Sequence, residues 1–378
     1  MSKSVNYIDL FSGCGGLSLG MEQAGFTLNF ASDIDPVCCN TFLKNRPYFS
    51  KDRMFTGDIA DLNCNYQDYA AYFKDADFIC GGPPCQGFSM ANRQRLIDDP
   101  RNILYKEYLK FLEKTKPSFF IMENVRGMLQ KMPEILEDMR HIIGNDYLID
   151  YTVLNARDYG VPQNRYRLIA IGNNLGVDSS SVIEKLLLST HSTPKFNLGE
   201  AISDLPALQP NRVKNNSALE NDSVGYFERE FDCGCTDFRN FINCGRSIKK
   251  VYNHKNRFNN DRDIEIYSRL PQGGNSLDPS IADIMPYSRR NGIFKDKYYR
   301  LKNDDVCKTI TAHMRYDCNM YIHPTQPRGL SPREAARIQT FPDDFVFYGP
   351  RNSWYKQIGN AVPVKLAEAI GKEIIRWL

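Results

Sequence analysis

One cysteine stands in a segment that suits a nucleophile. Cys85 lies in GGPPCQGFS, between glycines and directly after Pro83 and Pro84. The prolines fix the backbone before the sulfur, and the glycines leave room around it. A helix that begins after this segment would lower the pKa of the thiol and raise the thiolate fraction. A lone cysteine after a strand is usually a small buried apolar residue, but this setting favours a reactive thiol.

A carboxyl group and two arginines follow other predicted strands. Glu123 begins ENV after the apolar run FFIM, and Arg165 and Arg167 flank Tyr166 in QNRYRLIAIG. Because a parallel sheet binds ligands beyond the carboxyl ends of its strands, we expect the thiol and the Glu123 carboxyl group to meet there. We expect one arginine to face this site and the other to face a phosphate. The alternative is two solvated arginines on an edge strand.

The first strand ends in a glycine-rich turn. DLFSGCGGLSLG places Gly13, Gly15 and Gly16 between a strand and a helix, where glycine lets the backbone approach a ligand and the helix offers free N–H groups. Asp33 ends the second strand about 20 residues later, where a carboxylate can accept the ribose hydroxyls of a nucleoside. Asp58, in GDI after the third strand, could accept from an exocyclic amine of its base. Each aspartate alone is as readily a helix cap or a turn residue.

These residues require elements that bring strand ends together. Short apolar runs alternate with turns and helical stretches through the first half of the chain. Their near-continuous apolar character predicts strands covered on both faces, and therefore an α/β fold with a mostly parallel sheet and helices on both sides. The runs are VNYIDL, LNFAS, RMFT, DFIC, FFIM, YTVLN and RLIAIG.

The composition is that of a globular protein. Of 378 residues, 42% are hydrophobic and 25% are charged, which argues against a disordered, collagen-like or coiled-coil chain. No apolar run approaches the roughly 20 residues that cross a bilayer, and the N-terminus lacks a signal-peptide pattern. The 11 cysteines are odd in number and lack framework spacing, which favours reduced thiols. We therefore expect a soluble, cytoplasmic protein.

The alternation of strands and helices stops in the second half. Between Gly245 and Lys302 there are 13 lysines and arginines against 6 aspartates and glutamates, a balance that suits a polyanion but also a solvated surface. From Pro363 to Leu378 apolar residues recur with a helical period. We predict a first domain at 1–194, a small irregular domain at 195–327, and a return segment at 328–378 that completes the first domain.

Taken together, these segments resemble the DNA cytosine-5 methyltransferase family over nearly the whole chain. DLFSGCGG is similar to the family's S-adenosylmethionine loop, GDI to its adenine contact and GGPPCQGFS to its catalytic loop. ENV, QNRYR, RGLSPREAARIQTFPDDF and YKQIGNAVP follow in the family's order. The resemblance implies a Rossmann-like S-adenosylmethionine-dependent methyltransferase fold, in which residues 1–194 bind the cofactor and carry the chemistry and 195–327 recognise the target.

The resemblance also assigns cofactor contacts. Phe11 would lie against the adenosine, Leu104 would bind the methionine end, and Asn360 with Val362 would close that pocket. Ile34 stands where family members often carry an aromatic residue, so we expect weaker cofactor affinity. The expected cofactor-binding residues are Phe11, Gly13, Gly15, Gly16, Asp33, Ile34, Asp58, Ile59, Pro83, Leu104, Asn360 and Val362.

The same resemblance implies a reaction. The Cys85 thiolate adds to C6 of cytosine, Glu123 supplies or shares a proton at N3, and Arg167 contacts O2, with Arg165 as the fourth expected catalytic residue. C5 then attacks the methyl group of S-adenosylmethionine. Because C5 and C6 lie inside a stacked duplex, the target cytosine must be flipped out.

Double-stranded DNA is the expected partner. The segment Lys308 to Pro324, KTITAHMRYDCNMYIHP, is our candidate for base readout by strand-like residues in the major groove. We expect a monomer that is either the modification partner of a prokaryotic restriction system or a phage or orphan relative. In the first case a cognate nuclease would act on the same sequence without forming a stable complex. The expected DNA-binding residues are Gln86, Ser89, Lys249, Lys250, Lys255, Arg257 and Arg315.

Three other functions compete with this interpretation. An RNA cytosine methyltransferase would use the same pocket, but the large region 195–327 favours sequence-specific duplex DNA. A silent DNA-binding regulator with this fold would be expected to lose Cys85 or Glu123, and both are present. A nucleotide-dependent oxidoreductase has no need for Pro-Pro-Cys beside Glu-Asn-Val.

Four residues raise the question of a zinc site. Their spacing argues against it, because CxC is not the usual two-residue gap and the later gaps are irregular. We therefore expect no metal. The residues are Cys233, Cys235, Cys244 and His254.

Overall fold

The computed structural model describes residues 4–84, 104–214, 220–221, 223–231, 234–286 and 297–378. The chain divides into two compact units. The first comprises Met1–Gly160, Arg165–Pro194 and Ala361–Leu378, and the second comprises Val161–Asn164 and Lys195–Asn360. Within the described ranges, no helix combines the length and the apolar character needed to span a membrane.

The first unit is built on one seven-stranded sheet. Its strands are β1 (Asn6–Leu10), β2 (Thr27–Asp33), β3 (Met54–Thr56), β4 (Phe78–Gly81), β5 (Phe119–Val125), β6 (Leu148–Asn155) and β7 (Tyr166–Asn173). Their order in the sheet is β3, β2, β1, β4, β5, β7, β6. The pairs among the first five strands are parallel, whereas β7 is antiparallel to both β5 and β6. The predicted α/β class and mostly parallel sheet are confirmed.

Both faces of this sheet are covered. On one face, Ile8 and Phe120 belong to a buried apolar cluster that includes residues of the helices after β4 and β5. On the other face, the rings of Tyr7 and Phe78 contact Phe26, with centroids 5.9 and 5.0 Å apart. Apart from its C-terminal helix, the first unit has the helices α1 (Gly16–Ala24), α2 (Pro36–Lys44), α3 (Ile59–Cys64), α4 (Tyr66–Phe73), α5 (Leu104–Thr115), α6 (Met132–Ile143) and α7 (Ser179–Leu188).

The second unit contains a two-stranded sheet and short helices. Strands β8 (Gly225–Glu230) and β9 (Lys250–Lys255) pair antiparallel. The helices are α8 (Leu198–Ile202), α9 (Asp237–Ile242), α10 (Asp261–Arg269), α11 (Pro332–Ile338) and α12 (Arg351–Asn360).

The second unit extends beyond the boundary that we placed at 327. Residues 328–360 group with 195–327 and not with the sheet. Buried charges give the physical reason: Arg337 of α11 pairs with Asp204, and its Nε lies 2.8 Å from Asp343 Oδ1. Arg239 of α9 contacts the same Asp343 carboxylate at 3.2 Å. Charges without access to water must be paired within the packed unit, so α11 stays with α8 and α9.

The C-terminal helix α13 (Val364–Ile374) belongs to the first unit and contacts α1. A Cβ atom built on Gly20 of α1 would lie 2.3 Å from the Cβ of Ala367, and one built on Gly371 would lie 2.9 Å from the Sδ of Met21. The two glycines therefore allow the helices to approach closely. The predicted helical period after Pro363 and its packing on the first domain are confirmed.

Candidate active site

The turn after β1 is held by the end of β2. The backbone N–H of Gly13 donates to Oδ2 of Asp33 at 2.8 Å, and the N–H of Asp35 donates to Oδ1 at 2.8 Å. Phe11 and Gly13 have positive φ angles of 60° and 56°, and the first is uncommon for a residue with a Cβ. Asp33 therefore positions the turn. Since a carboxylate offers about four lone-pair sites, this role is compatible with the predicted contact to ribose hydroxyls.

Helix α1 begins directly after this turn. Its N-cap residue, Gly15, has a φ of 92°, and among the described residues no side chain caps the helix and no acid stands in its first turn. The first N–H groups of a helix lack intrahelical acceptors and carry partial positive charge. Gly13, Gly15 and Gly16 thus form an amide-lined turn that suits a carboxylate or another anionic group.

Two further predicted cofactor residues follow β2 and β3. Ile34 comes directly after Asp33 and is 68% exposed, so its side chain is available to cover a ligand held at that carboxylate. Asp58 is the N-cap of α3, and its Oδ1 accepts from the N–H of Ala60 at 2.9 Å. The helix-cap role that we weighed for Asp58 is therefore present. Ile59, the first residue of α3, is buried.

The residues that precede Cys85 lie beside Glu123, because β4 and β5 are neighbouring parallel strands. A Cβ atom built on Gly82 would lie 3.0 Å from Oε2 of Glu123. The Nδ2 of Asn124 donates to the carbonyl oxygen of Pro83 at 2.8 Å. The chain leading into Cys85 is thus held against the Glu123 carboxyl group.

Arg167 is the arginine that lies beside this carboxyl group. Its Nε is 2.7 Å from Oε1 of Glu123, and each side chain is 12% exposed. Its Nη1 donates to the carbonyl oxygen of Tyr166 at 2.8 Å. Burial lowers the pKa of Arg167, and the nearby Glu123 carboxylate opposes this shift. A guanidinium and a carboxyl group, both largely shielded from water, therefore meet at the carboxyl end of β5.

Arg165 does not fit the phosphate contact that we expected of one arginine. The residue is 1% exposed, and its Nη2 donates to the carbonyl oxygen of Ala361 at 2.8 Å. Its backbone N–H donates to Oδ1 of Asn155 at 3.1 Å. A buried guanidinium cannot reach a phosphate at the surface, so the position of Arg165 favours a role in joining segments of the first unit.

The remaining predicted cofactor residues are spread over both units. Leu104 begins α5 and packs, partly buried, against the apolar core of the first unit. Val362 is buried in the first unit, whereas Asn360 is exposed at the end of α12 in the second. Three predicted residues lie outside the described residues: Cys85, Gln86 and Ser89.

The basic residues predicted to contact DNA have different surroundings. Lys249 is exposed. Lys250 is half-exposed, and its Nζ lies 2.6 Å from Oε1 of Glu228. The side chain of Lys255 is 2% exposed, which does not favour the predicted phosphate contact. The excess of positive charge that the composition shows is therefore only partly available at the surface of the second unit.

Arg257 supports a turn instead of standing free at the surface. Its Nη1 donates to the carbonyl oxygen of Met314 at 2.8 Å, and its Nη2 donates to that of Tyr316 at 2.6 Å. The guanidinium of Arg315 lies 4.5 Å from the centroid of the Tyr316 ring, and Tyr316 is 60% exposed. The turn thus presents a cation and an aromatic ring side by side.

The secondary structure of the candidate readout segment differs from our expectation. Residues 308–324 contain 3-10 turns at Ala312–Arg315 and Asn319–Tyr321 and no strand, and Ile322 forms only isolated bridges, to Arg300 and Gly329. The prediction of strand-like residues was wrong there. The physical reason is the hydrogen bonding within the segment and to Arg257, which closes turns in place of an extended chain.

Of the four residues weighed as a zinc site, the three that the structure describes do not form a metal-binding group. The Nδ1 of His254 lies 2.9 Å from Oγ of Ser331, and its Nε2 lies 2.8 Å from the carbonyl oxygen of Pro206. Both ring nitrogens are therefore engaged in hydrogen bonds. Cys235 and Cys244 are exposed, and Cys233 lies outside the described residues. Within the described ranges, no three His, Cys, Asp or Glu residues form a group suited to a metal ion.

Two residues that shape the site were missed by sequence reasoning. Asn124 stands next to Glu123 in ENV, and this position could have indicated its contact with Pro83. Arg46 donates from Nη2 to the carbonyl oxygen of Gly15 at 3.1 Å across 31 positions of sequence. No local pattern links these two residues, so the chain offered no signal for that contact.

Comparison with known proteins covers the whole chain. The family model of the C-5 cytosine-specific DNA methylase matches residues 5–376. The type II methyltransferase M1.HphI of Haemophilus parahaemolyticus is 31% identical over 99% of this chain and 87% of its own length. The type II methyltransferase M.XorII of Xanthomonas oryzae pv. oryzae is 34% identical over 98% of this chain and 84% of its own.

Solved structures agree with these matches. A chain described as a DNA modification methyltransferase encoded within an E. coli prophage matches with a TM-score of 0.74 and 30% identity over 99% of both chains. The Dnmt2 methyltransferase of S. pombe, with a TM-score of 0.55 and 16% identity over 98% of both chains, shares the fold. The family match and the more similar relatives span nearly every element described above. The chain belongs to the C-5 cytosine-specific DNA methylase family and is a DNA cytosine-5 methyltransferase.

Proposed function

We propose that the protein transfers a methyl group from S-adenosylmethionine to C5 of a flipped-out cytosine in a specific double-stranded DNA sequence, through a covalent bond between Cys85 and C6. The observation that carries this proposal is the pair formed by Glu123 and Arg167 at 2.7 Å. It lies against Gly82, three residues before the cysteine. The pair offers an acidic group and a donor beside Gly82, in the segment that leads to the predicted nucleophile.

The turn after β1 fits S-adenosylmethionine. The uncapped start of α1 suits the carboxylate of its methionine end, and Asp33 suits ribose hydroxyls. The exposed side chain of Ile34 is available to cover the adenine. When bound, the cofactor supplies an electrophilic methyl group on a sulfonium. The protein's own residues bind and orient it at the edge of the sheet where β4 and β5 also end.

The chemistry explains why a thiol is needed. C5 of cytosine is a poor nucleophile because the aromatic ring holds its electrons. Addition of the Cys85 thiolate would form the S–C6 bond and move the ring π electrons toward C5, which would then take the methyl group as its bond to the sulfonium sulfur breaks and S-adenosylhomocysteine leaves. A base removes the C5 proton, the C5–C6 double bond forms again, and the C6–S bond breaks to free the cysteine.

Glu123 and Arg167 would act on the other side of the ring. The Glu123 carboxyl group has the guanidinium of Arg167 at 2.7 Å and lies against Gly82 in the segment that leads to Cys85. We therefore infer that the proton at N3 is shared between the bound cytosine and Glu123 as negative charge develops on the ring. Arg167, which also faces this carboxyl group, would donate to O2 of the base. Both groups stabilise charge that exists only after addition.

We propose that residues 195–327 recognise the DNA target. Lys249 and Lys250 would contact phosphates, and the turn that carries Arg315 would contact base edges. Flipping the cytosine costs a few kcal/mol, which such contacts offset. The type II relatives favour a prokaryotic restriction-modification system, in which the protein would act as a monomer in the cytoplasm and a nuclease would act on the same sequence.

A mechanism-based trap tests the proposal. The trap is DNA with 5-fluorocytosine at the target position of the sequence that the protein methylates. Because fluorine cannot be removed from C5 as a proton is, elimination of the cysteine is blocked and the bond between Cys85 and C6 should persist. We expect a denaturation-resistant adduct when S-adenosylmethionine is present and none with Cys85→Ala. Bisulfite sequencing of DNA from cells that express the protein would supply the sequence for the oligonucleotide. An adduct that forms equally with Cys85→Ala, or methylation at a position other than C5, would overturn the proposal.

A further inference from the structure

A buried arginine lies directly beneath the glycine-rich turn. The side chain of Arg46, which follows α2, is 2% exposed. Its Nη2 donates to the carbonyl oxygen of Gly15 at 3.1 Å. A Cβ atom built on Gly15 would lie 2.6 Å from Nη1 and 2.8 Å from Cδ2 of Phe42. The guanidinium therefore packs against the backbone of Gly15, in the place that any side chain there would occupy.

The charge of Arg46 is balanced by Glu22 of α1, the helix that begins directly after the turn. Its Nε lies 3.1 and 3.0 Å from the two carboxylate oxygens of Glu22, and its Nη2 lies 2.9 Å from Oε2. The guanidinium also lies 4.0 Å from the centroid of the Phe42 ring. The hydroxyl of Tyr48 donates to the same Glu22 carboxylate at 2.5 Å. These contacts hold the guanidinium in one orientation.

We propose that Arg46 is a positioning residue for S-adenosylmethionine binding, which acts by fixing the Gly15 carbonyl and with it the amide groups of the turn. Two side chains then support the turn in addition to its backbone hydrogen bonds: Asp33 accepts from the N–H of Gly13, and Arg46 donates to the Gly15 carbonyl oxygen, which also accepts from the N–H of Leu19 at 2.9 Å. The inference rests on the proposed cofactor site. It explains why a charged guanidinium is buried in the first unit, where an apolar residue would pack without a countercharge.

The test separates positioning from simple charge balance. Arg46→Met alone would leave Glu22 without its partner, which can destabilise the whole unit. The double variant Arg46→Met with Glu22→Gln removes both charges but still lacks the donor to Gly15. We expect it to fold, to bind S-adenosylhomocysteine about tenfold more weakly, and to keep the KM for DNA. Arg46→Lys retains a hydrogen-bond donor on a long side chain, so it should bind S-adenosylhomocysteine more tightly than the double variant but more weakly than the parental protein.

A matched control is a second ion pair of the first unit that leaves the turn untouched. Lys365 Nζ lies 2.6 Å from Oε2 of Glu368 on α13. Lys365→Met with Glu368→Gln should bind the product with parental affinity. Calorimetry with S-adenosylhomocysteine gives the readout, together with the KM for S-adenosylmethionine and for DNA.

The outcomes can be distinguished. If the parental protein binds S-adenosylhomocysteine and the Arg46/Glu22 double variant binds it equally well, the inference is wrong and the proposed function stands. A loss of affinity as large in the Lys365/Glu368 control would also overturn it. If the parental protein does not bind this ligand, the proposed cofactor itself fails.

Discussion

Replacing Glu123 by glutamine tests the proton step directly. Oε1 of Glu123 lies 2.7 Å from the Nε of Arg167, and a glutamine oxygen can accept from the same donor with nearly unchanged shape. The variant lacks the exchangeable carboxyl proton and the negative charge. Positioned proton transfer contributes about 10²- to 10⁴-fold to a rate. We therefore expect the rate of methyl transfer in Glu123→Gln to fall by about that factor.

The same substitution should change stability much less. Removing one partner of a fully buried ion pair costs about 3 to 5 kcal/mol. Here both side chains retain 12% exposure, and glutamine still accepts a hydrogen bond from Arg167, so we expect a loss of about 1 to 2 kcal/mol. Binding of the cofactor should remain, because the Gly13–Asp33 contact belongs to a different pair of strands.

Single-turnover transfer of a labelled methyl group to DNA measures the effect, with product binding by calorimetry as a check on folding. Glu134→Gln is a suitable control, since Glu134 forms an exposed pair with Lys131 at 2.9 Å on α6. That variant should transfer methyl groups at the parental rate. If Glu123→Gln also reached the parental rate, the carboxyl group would have no role in the proton step and the reasoning would fail.

Two other substitutions test different features of the first unit. Gly82→Ala places a Cβ 3.0 Å from Oε2 of Glu123. Displacement of that carboxyl group by a few tenths of an ångström should lower kcat about tenfold without weakening cofactor binding. An unchanged kcat would show that the close approach of β4 and β5 is not critical for the reaction. Asp9 is completely buried, and burial raises its pKa to about 7, although the hydroxyl of Ser18 opposes this shift. Between the ordinary pKa near 4 and 7, the folded state keeps a proton that the unfolded chain has lost, so stability falls as pH rises through this window. Asp9→Asn should remove that dependence on pH. Measured by urea titration, the unfolding free energy of the variant minus that of the parent should therefore grow by up to about 4 kcal/mol from pH 4 to pH 8. A difference that is constant with pH would contradict the burial argument.

Much of the sheet could be predicted because its signals are local. Each of the seven apolar runs forms a strand, and the alternation with helices indicates parallel pairing. The reversal at β7 was not predicted, although a signal was present. The connection from Asn155 to Tyr166 is too short for the crossover of a dozen or more residues that a parallel pair requires. It carries only a 3-10 turn at Ala156–Tyr159, so β6 and β7 pair antiparallel.

The surroundings of charged residues could not be predicted in the same way. Lys255 and Lys249 are equivalent in a count of charge, yet the side chain of the first is 2% exposed and the second stands in solvent. Arg337 pairs with Asp204, which lies 133 positions earlier in the chain. This pair holds α11 in the second unit, so that unit ends later than the boundary we expected at 327. Such partners are chosen by packing between distant segments, and no periodicity or spacing within a segment encodes them.

The acids at the ends of β2 and β5 show how a partner decides a role. In the sequence, Asp33 and Glu123 are the same kind of signal, an acid at the end of an apolar run. In the structure, the Asp33 carboxylate accepts hydrogen bonds from two backbone N–H groups, that of Asp35 just after β2 and that of Gly13 in the glycine-rich turn. These bonds fix its orientation as an acceptor. Among the described residues, Glu123 instead pairs with the guanidinium of Arg167 and lies against Gly82, which has no side chain to displace it. An acid held by backbone amides suits the proposed contact with ribose hydroxyls, whereas an acid paired with a guanidinium suits the proposed contact with N3 of the cytosine. The division of roles that we propose, with Asp33 toward the cofactor and Glu123 toward the cytosine, therefore rests on what each acid contacts.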